Sequence, residues 1–192
     1  AAVYDNQGKY DDALTWYHKA LGIREKKLGT DHPDTATIYN NIAAVYDNQG
    51  KYDDALKLCH KALEIYEKKL GTDHPDTATT YNNIAAVYDN QGKYDDALTW
   101  HYKALEIIGK KLGTDHPHTA LTYNNIALVY DNQGKYDDAL EWHYKAFRII
   151  SKQLGENHPH TRTVIKSMQY AYSAHFGKDA DFTEWLKNRM ED

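Results

Sequence analysis

The sequence predicts an all-α fold: an α-α superhelix in which antiparallel helix pairs stack as a solenoid. Three observations predict it. The decapeptide DNQGKYDDAL begins at Asp5, Asp47, Asp89 and Asp131, a period of 42 residues, and self-similarity at such a period marks a stacked repeat architecture. Within each copy the apolar residues recur at helical spacing. The four prolines of the chain, Pro33, Pro75, Pro117 and Pro159, all occupy one repeat position, as expected for a first helical residue whose missing N–H costs nothing.

Taken in order, residues 1–31 read as a truncated first repeat, holding part of a helix A and a whole helix B. Full repeats follow at 32–73, 74–115 and 116–157, and residues 158–192 read as an atypical capping repeat, all in one continuous solenoid domain. The opening AAVYDNQGKY matches the middle of helix A in later copies, so the chain reads as a fragment of something longer. Each helix A is expected to start at its proline and to end near Gly50 or its equivalents, where glycine can adopt a left-handed cap. Helix B is expected to run from the Asp53/Asp54 pair, carboxylates suited to a helix N-terminus, to KKLG, with lysines at the opposite pole. Short connections make neighbouring helices antiparallel. In helix A, Tyr39, Ile42, Ala43 and Tyr46 form one apolar stripe with Val45 on its shoulder. In helix B, Ala55, Cys59, Ala62, Leu63, Tyr66 and Leu70 form a broader one. Neither stripe is buried within one unit, so stacking must supply the core. In the last repeat Ile165, Lys166 and Ser167 replace the Tyr-Asn-Asn triplet, and Phe182, Trp185 and Leu186 offer an apolar edge that suits a cap.

Tyr39, Ile42, Ala43, Tyr46, Gly50, Tyr52, Ala55 and Ala62 stand at the spacing of the tetratricopeptide repeat signature. With LGTDHPDTA and YNNIA, the 42-residue unit resembles the longer repeats of kinesin light chains and nephrocystin-like proteins, over nearly the whole chain to about Tyr172. The resemblance implies a solenoid whose A helices line a concave peptide-binding groove. It says less about biological role, because a fold hosts many functions.

Composition excludes several function classes. Formal net charge is -5, with Lys and Arg dispersed, unlike the clustered basic face of a nucleic-acid binder. No apolar run approaches the ~20 residues of a membrane span. The single cysteine, Cys59, precludes an internal disulfide framework and suits a reducing, cytoplasmic setting. Its equivalents are Tyr17, His101 and His143, which share bulk rather than reactivity, so it reads as a packing residue. His32, His74, His116 and His158 recur once per repeat, at about 10 Å between stacked helices, too far apart to share one metal ion. Adjacent carboxylates such as Asp53/Asp54 diverge by about 100° on a helix and cannot act on one bond. No phosphate loop or nucleophile elbow is present, so no catalytic residue, metal site or cofactor is assigned. Trp16, Trp100 and Trp142 share a helix B position and are expected to pack rather than to form an exposed ladder.

The remaining signal is a repeated pair of asparagines, poor helix formers. On a helical wheel, Thr37, Asn40, Asn41, Ala44, Asp47 and Asn48 lie opposite the buried stripe. The corresponding positions in later copies include Thr79, Asn82, Asn83, Asp89 and Asn90, then Asn124, Asn125 and Asp131. An amide donates and accepts at once, which suits it to a peptide main chain. The resemblance places these residues in the groove, with the second asparagine at a main-chain-contacting position. The competing reading is a structural ladder between adjacent A helices. Kinesin light chains bind acidic peptides through basic groove residues, but no Lys or Arg occurs in 33–49, 75–91 or 117–133. Asp47, Asp89 and Asp131 point instead to a neutral or basic segment as ligand. Only Arg162 and Lys166 bring positive charge, at the C-terminal end.

The sequence therefore reads as a non-catalytic scaffold that binds a protein or peptide segment, without nucleic acid or membrane as partner. Its alternatives are a structural spacer or self-assembling arm, with self-association through the truncated N-terminal end, and the sensor region of a larger multidomain signalling protein.

Overall fold

The computed structural model describes residues 9–191, and the partial helix A expected at the start of the chain lies outside the described residues. The chain divides into two compact units, Ala1–Lys111 and Leu112–Asp192, whose described residues are mostly helical. In the first unit the order is α1 (Tyr10–Leu28), α2 (Pro33–Asn48), α3 (Tyr52–Leu70), α4 (Pro75–Asn90) and α5 (Tyr94–Leu112). In the second it is α6 (Pro117–Asn132), α7 (Tyr136–Leu154), α8 (Pro159–Phe176) and α9 (Phe182–Glu191). In the first unit α1 packs on α2, α2 on α3 and α3 on α4, and α2 also touches α4, one A helix against the next; in the second α6 packs on α7, α7 on α8 and α8 on α9.

Helix boundaries follow from local chemistry. Each proline is the first residue of its helix A, as expected. The histidine before it provides the cap: Nδ1 of His32 and His74 accept the N–H of Asp34 and Asp76 at 3.1 and 3.2 Å. His116 and His158 accept from His118 and His160 at 3.2 and 3.3 Å. An orphan N-terminal donor is thereby satisfied by an imidazole where Ser or Asp is more usual. Two residues after each proline a fully buried threonine closes the loop. Thr35, Thr77, Thr119 and Thr161 donate to the carbonyls of Gly29, Gly71, Gly113 and Gly155 at 2.7–2.9 Å. At the other end Gly50, at φ 72°, lets Lys51 N–H reach back to Tyr46 O at 2.8 Å; any side chain there would be strained in the left-handed region.

The predicted stripes form the cores. Ile42, Ala43 and Val45 of α2 are buried, as are Ala55, Cys59, Ala62, Leu63 and Tyr66 of α3, while Tyr46 and Leu70 are half-buried. Zero-exposure alanines at 55, 62, 78, 97 and 104 bring helix backbones close. In the second unit Leu140, Phe147, Ile150, Val164 and Met168 form one cluster, and Phe182, Trp185 and Leu186 of α9 pack against it. The edge read from sequence is thus the surface that seats α9. Trp100 and Trp142 also pack as expected, against Tyr81 and Tyr123 with ring centroids 5.3 and 5.4 Å apart. Trp16 departs from that expectation. It is exposed, with Lys19 Nζ 4.7 Å from its ring.

Candidate ligand-binding face

The exposed strip of each A helix follows from its wheel. In α2, Thr37, Ala44 and Asn48 are exposed and Asn41 half-exposed, at spacings i, i+4, i+7 and i+11 that keep them on one line. In α4 the line is Thr79, Asn83, Ala86 and Asn90. In α6 of the second unit it is Leu121, Asn125, Leu128 and Asn132. Threonine hydroxyls on the strip turn back on their own helix: Thr37 and Thr79 donate to Pro33 O and Pro75 O at 3.2 and 3.1 Å. Thr37 Oγ1 also lies 2.8 Å from Tyr66 Oη.

The asparagine pairs split. The first of each pair leans off the strip and is held inside the fold. Asn40 is buried at 8 % exposure and donates through Nδ2 to Thr80 Oγ1 of α4 at 2.8 Å. Asn82 and Asn124 use Oδ1 instead, 2.8 Å from His101 Nδ1 and 3.1 Å from His143 Nδ1. Asn40 therefore departs from the expectation of an open face, because the 100° step from Asn41 turns it toward the neighbouring helix. The second asparagine differs. Asn41, Asn83 and Asn125 are half-exposed and their amides make no hydrogen bond among the described residues.

The carboxylates also turn inward. Asp131 Oδ2 lies 2.9 Å from His143 Nε2, with side-chain exposures of 7 % and 0 %. Asp47 Oδ2 accepts from Asn90 Nδ2 at 2.9 Å while its Oδ1 is buried without a partner. Burial raises the Asp47 carboxyl above the usual range, the Asn90 bond opposes this, and the charge of Asp89 adds to it. Asp89 is half-buried and Asn90 exposed. The acidic rail expected from sequence is accordingly muted: Asp47 and Asp131 each use one oxygen in an internal contact and bury the other.

The position shared by Cys59, His101 and His143 is more than bulk. His143 bridges Asn124 and Asp131. His101 bonds Asn82, and burial lowers its pKa to about 4, so it is neutral at pH 7. Burial and the nearby Asp47 push the Cys59 thiol up to about 12, which leaves it unreactive. The sequence signal for this was the recurring Asn-to-His interval, present only in copies with histidine. The sequence reading also missed Leu121 and Leu128, exposed at 50 % and 40 %; the signal was their replacement of Thr79 and Ala86. Among the described residues no three His, Cys, Asp or Glu side chains converge on a metal-sized point, and no helix is long and apolar enough to cross a membrane.

The family model of the tetratricopeptide repeat matches residues 1–56, 34–107, 80–143 and 121–174. No curated protein sequence matches the chain. Among solved structures, BtubC (BKLC) from P. vanneervenii aligns with a TM-score of 0.76 and 24 % identity, over 99 % of this chain and 78 % of that one. A kinesin light chain of Podosopora anserina with nearly identical TPR-like repeats aligns at 0.72 and 22 % identity, over 99 % and 88 %. The apo form of RapI aligns at 0.74 and 17 %, over 98 % and 66 %. At such identities these structures speak to the fold alone.

Proposed function

Because the chain belongs to the tetratricopeptide repeat family, a fold that generally serves as a protein-interaction scaffold, we propose that it binds an extended peptide segment of a partner on the exposed strips of its A helices and performs no chemistry itself. One observation carries the reading: the amides of Asn41, Asn83 and Asn125 are half-exposed and unbonded. An amide left free at one strip position in successive helices is poised to pair with peptide N–H and C=O groups irrespective of side chain. The remaining polar groups of the face are used internally. Thr37, Ala44 and Asn48 border Asn41, and Thr79 and Asn90 border Asn83. In the second unit Leu121 and Leu128 flank Asn125, which favours an apolar ligand residue there. With Asp47 and Asp131 drawn inward, the ligand is a neutral segment more than a basic one. A cytoplasmic setting suits the lone unreactive thiol.

The structural reading has its own support. Asn40 to Thr80 and Asn90 to Asp47 tie α2 to α4, so the first asparagine acts in the fold and the second remains for a ligand. A peptide array probed with the full chain tests the proposal. Peptides selected on it should lose affinity about fivefold for each main-chain hydrogen bond removed by Asn83→Ala, each being worth ~1 kcal/mol, without loss of stability. Selected peptides that bind Asn41→Ala, Asn83→Ala and Asn125→Ala as tightly as the wild type would refute it.

A further inference from the structure

The repeats serve as internal controls for one another, and one copy differs on helix B, apart from the asparagine strip. In the first unit Tyr39 Oη donates to Glu25 at 2.6 Å and Tyr81 Oη to Glu67 at 2.8 Å. Beside Tyr81 lies a cavity of about 330 Å³, where Lys110 pairs with Glu106 at 2.6 Å and Lys111 with Asp73 at 2.5 Å. The third cation, Lys103, sits 4.1 Å from the Trp100 ring centroid. Three cations thus face two carboxylates, and the tyrosine hydroxyl is engaged.

The corresponding cavity of the second unit, about 230 Å³, is lined by Tyr123, Lys145, Arg148, Ile149 and Lys152. Sequence has removed one of its acids: Arg148 stands where the first unit has Glu106. Asp115 alone remains, paired with Lys152 at 3.3 Å. Lys145 lies over Trp142 at 4.0 Å, and Trp142 packs on Tyr123. The Arg148 guanidinium and the Tyr123 hydroxyl have no hydrogen-bond or ion-pair partner among the described residues. Three cations now face one carboxylate, with an unengaged O–H donor beside them.

From this contrast we infer that the Tyr123–Arg148 cavity binds an oxyanion of the phosphate class. A guanidinium fork matches two oxygens of such a group. Tyr123 Oη can donate to a third, and Lys145 adds charge without directional demand. Ile149 is the apolar residue of the lining.

Titrating the full ¹⁵N-labelled chain with inorganic phosphate, and separately with phenyl phosphate, tests the assignment. The Trp142 indole and Arg148 Nε signals should shift saturably while Trp100 stays still. Arg148→Glu, which installs the residue of the first unit, should weaken binding at least tenfold, roughly the loss of a charge-assisted pair. Tyr123→Phe should weaken it about threefold to tenfold. Tighter binding of phenyl phosphate would identify a phosphorylated aromatic side chain as the source, and equal binding free phosphate. Absence of a saturable shift at Trp142, an equal response at Trp100, or unchanged affinity in Arg148→Glu overturns the site.

Discussion

Replacing His143 with leucine removes the one group that bridges Asn124 and Asp131. The imidazole is fully buried, and the Asp131 carboxylate beside it is 7 % exposed with its other oxygen already without a partner. Leucine fills similar space, so the loss is electrostatic rather than a cavity. A buried charge stripped of its partner costs about 3–5 kcal/mol, a large share of an ordinary stability of roughly 5–15 kcal/mol. With a urea slope of about 2 kcal/mol per M, the midpoint should fall by about 2 M. Urea denaturation followed by far-ultraviolet circular dichroism reads the shift, and amide hydrogen exchange should localise it to α6 and α7. The double variant His143→Leu/Asp131→Leu removes both polar partners, and an apolar pair is often neutral against the buried polar pair it replaces. It should return to within about 1 kcal/mol of the wild type by the same principle. A single variant costing less than about 1 kcal/mol, or a double variant no better than the single, refutes the reasoning that the pair is held by mutual satisfaction.

Three further outcomes are expected. Cys59→His should give the buried Asp47 the partner that Asp131 has, lowering the Asp47 pKa in a carboxylate NMR titration and raising stability by about 1 kcal/mol; an unmoved Asp47 counts against it. Gly22, inside α1 with nothing within 4 Å of an added Cβ, should accept alanine with a gain of about 0.5–1 kcal/mol, and a lower denaturation midpoint would mean its surroundings are misjudged. Burial and the Glu67 bond raise Tyr81 to about 12. Its folded pKa lies above the unfolded value of 10, so its contribution is complete below pH 10 and is lost as pH rises through 12. Denaturation midpoints that stay level between pH 10 and 12 would contradict this.

Much of this was legible in the sequence because repetition and helical period are strong, local signals. The prolines located each described helix A, the glycines ended them, and the alanine and tyrosine stripes named the core. The candidate face was legible only to the nearest 100°. The wheel grouped Asn40 with Asn41, but burial by the adjacent A helix separates them, and that neighbour is invisible to a single-helix projection. The histidine caps were hidden because imidazole is an uncommon N-cap. The inward turn of Asp131 depended on His143, twelve residues away on the next helix, and a histidine at a core position reads first as bulk.

The central claim is that the second asparagine of each pair, and not the first, meets a ligand. Side-chain carboxamide NMR tests it most directly, with the full chain titrated by an array-selected peptide. The account predicts that the NH₂ signals of Asn41 and Asn83, or of Asn125 for a peptide held by the second unit, shift and sharpen. Those of Asn40, Asn82 and Asn124 should stay in place. Shifts confined to the first asparagines, or a peptide that binds while leaving all six signals unmoved, would contradict it.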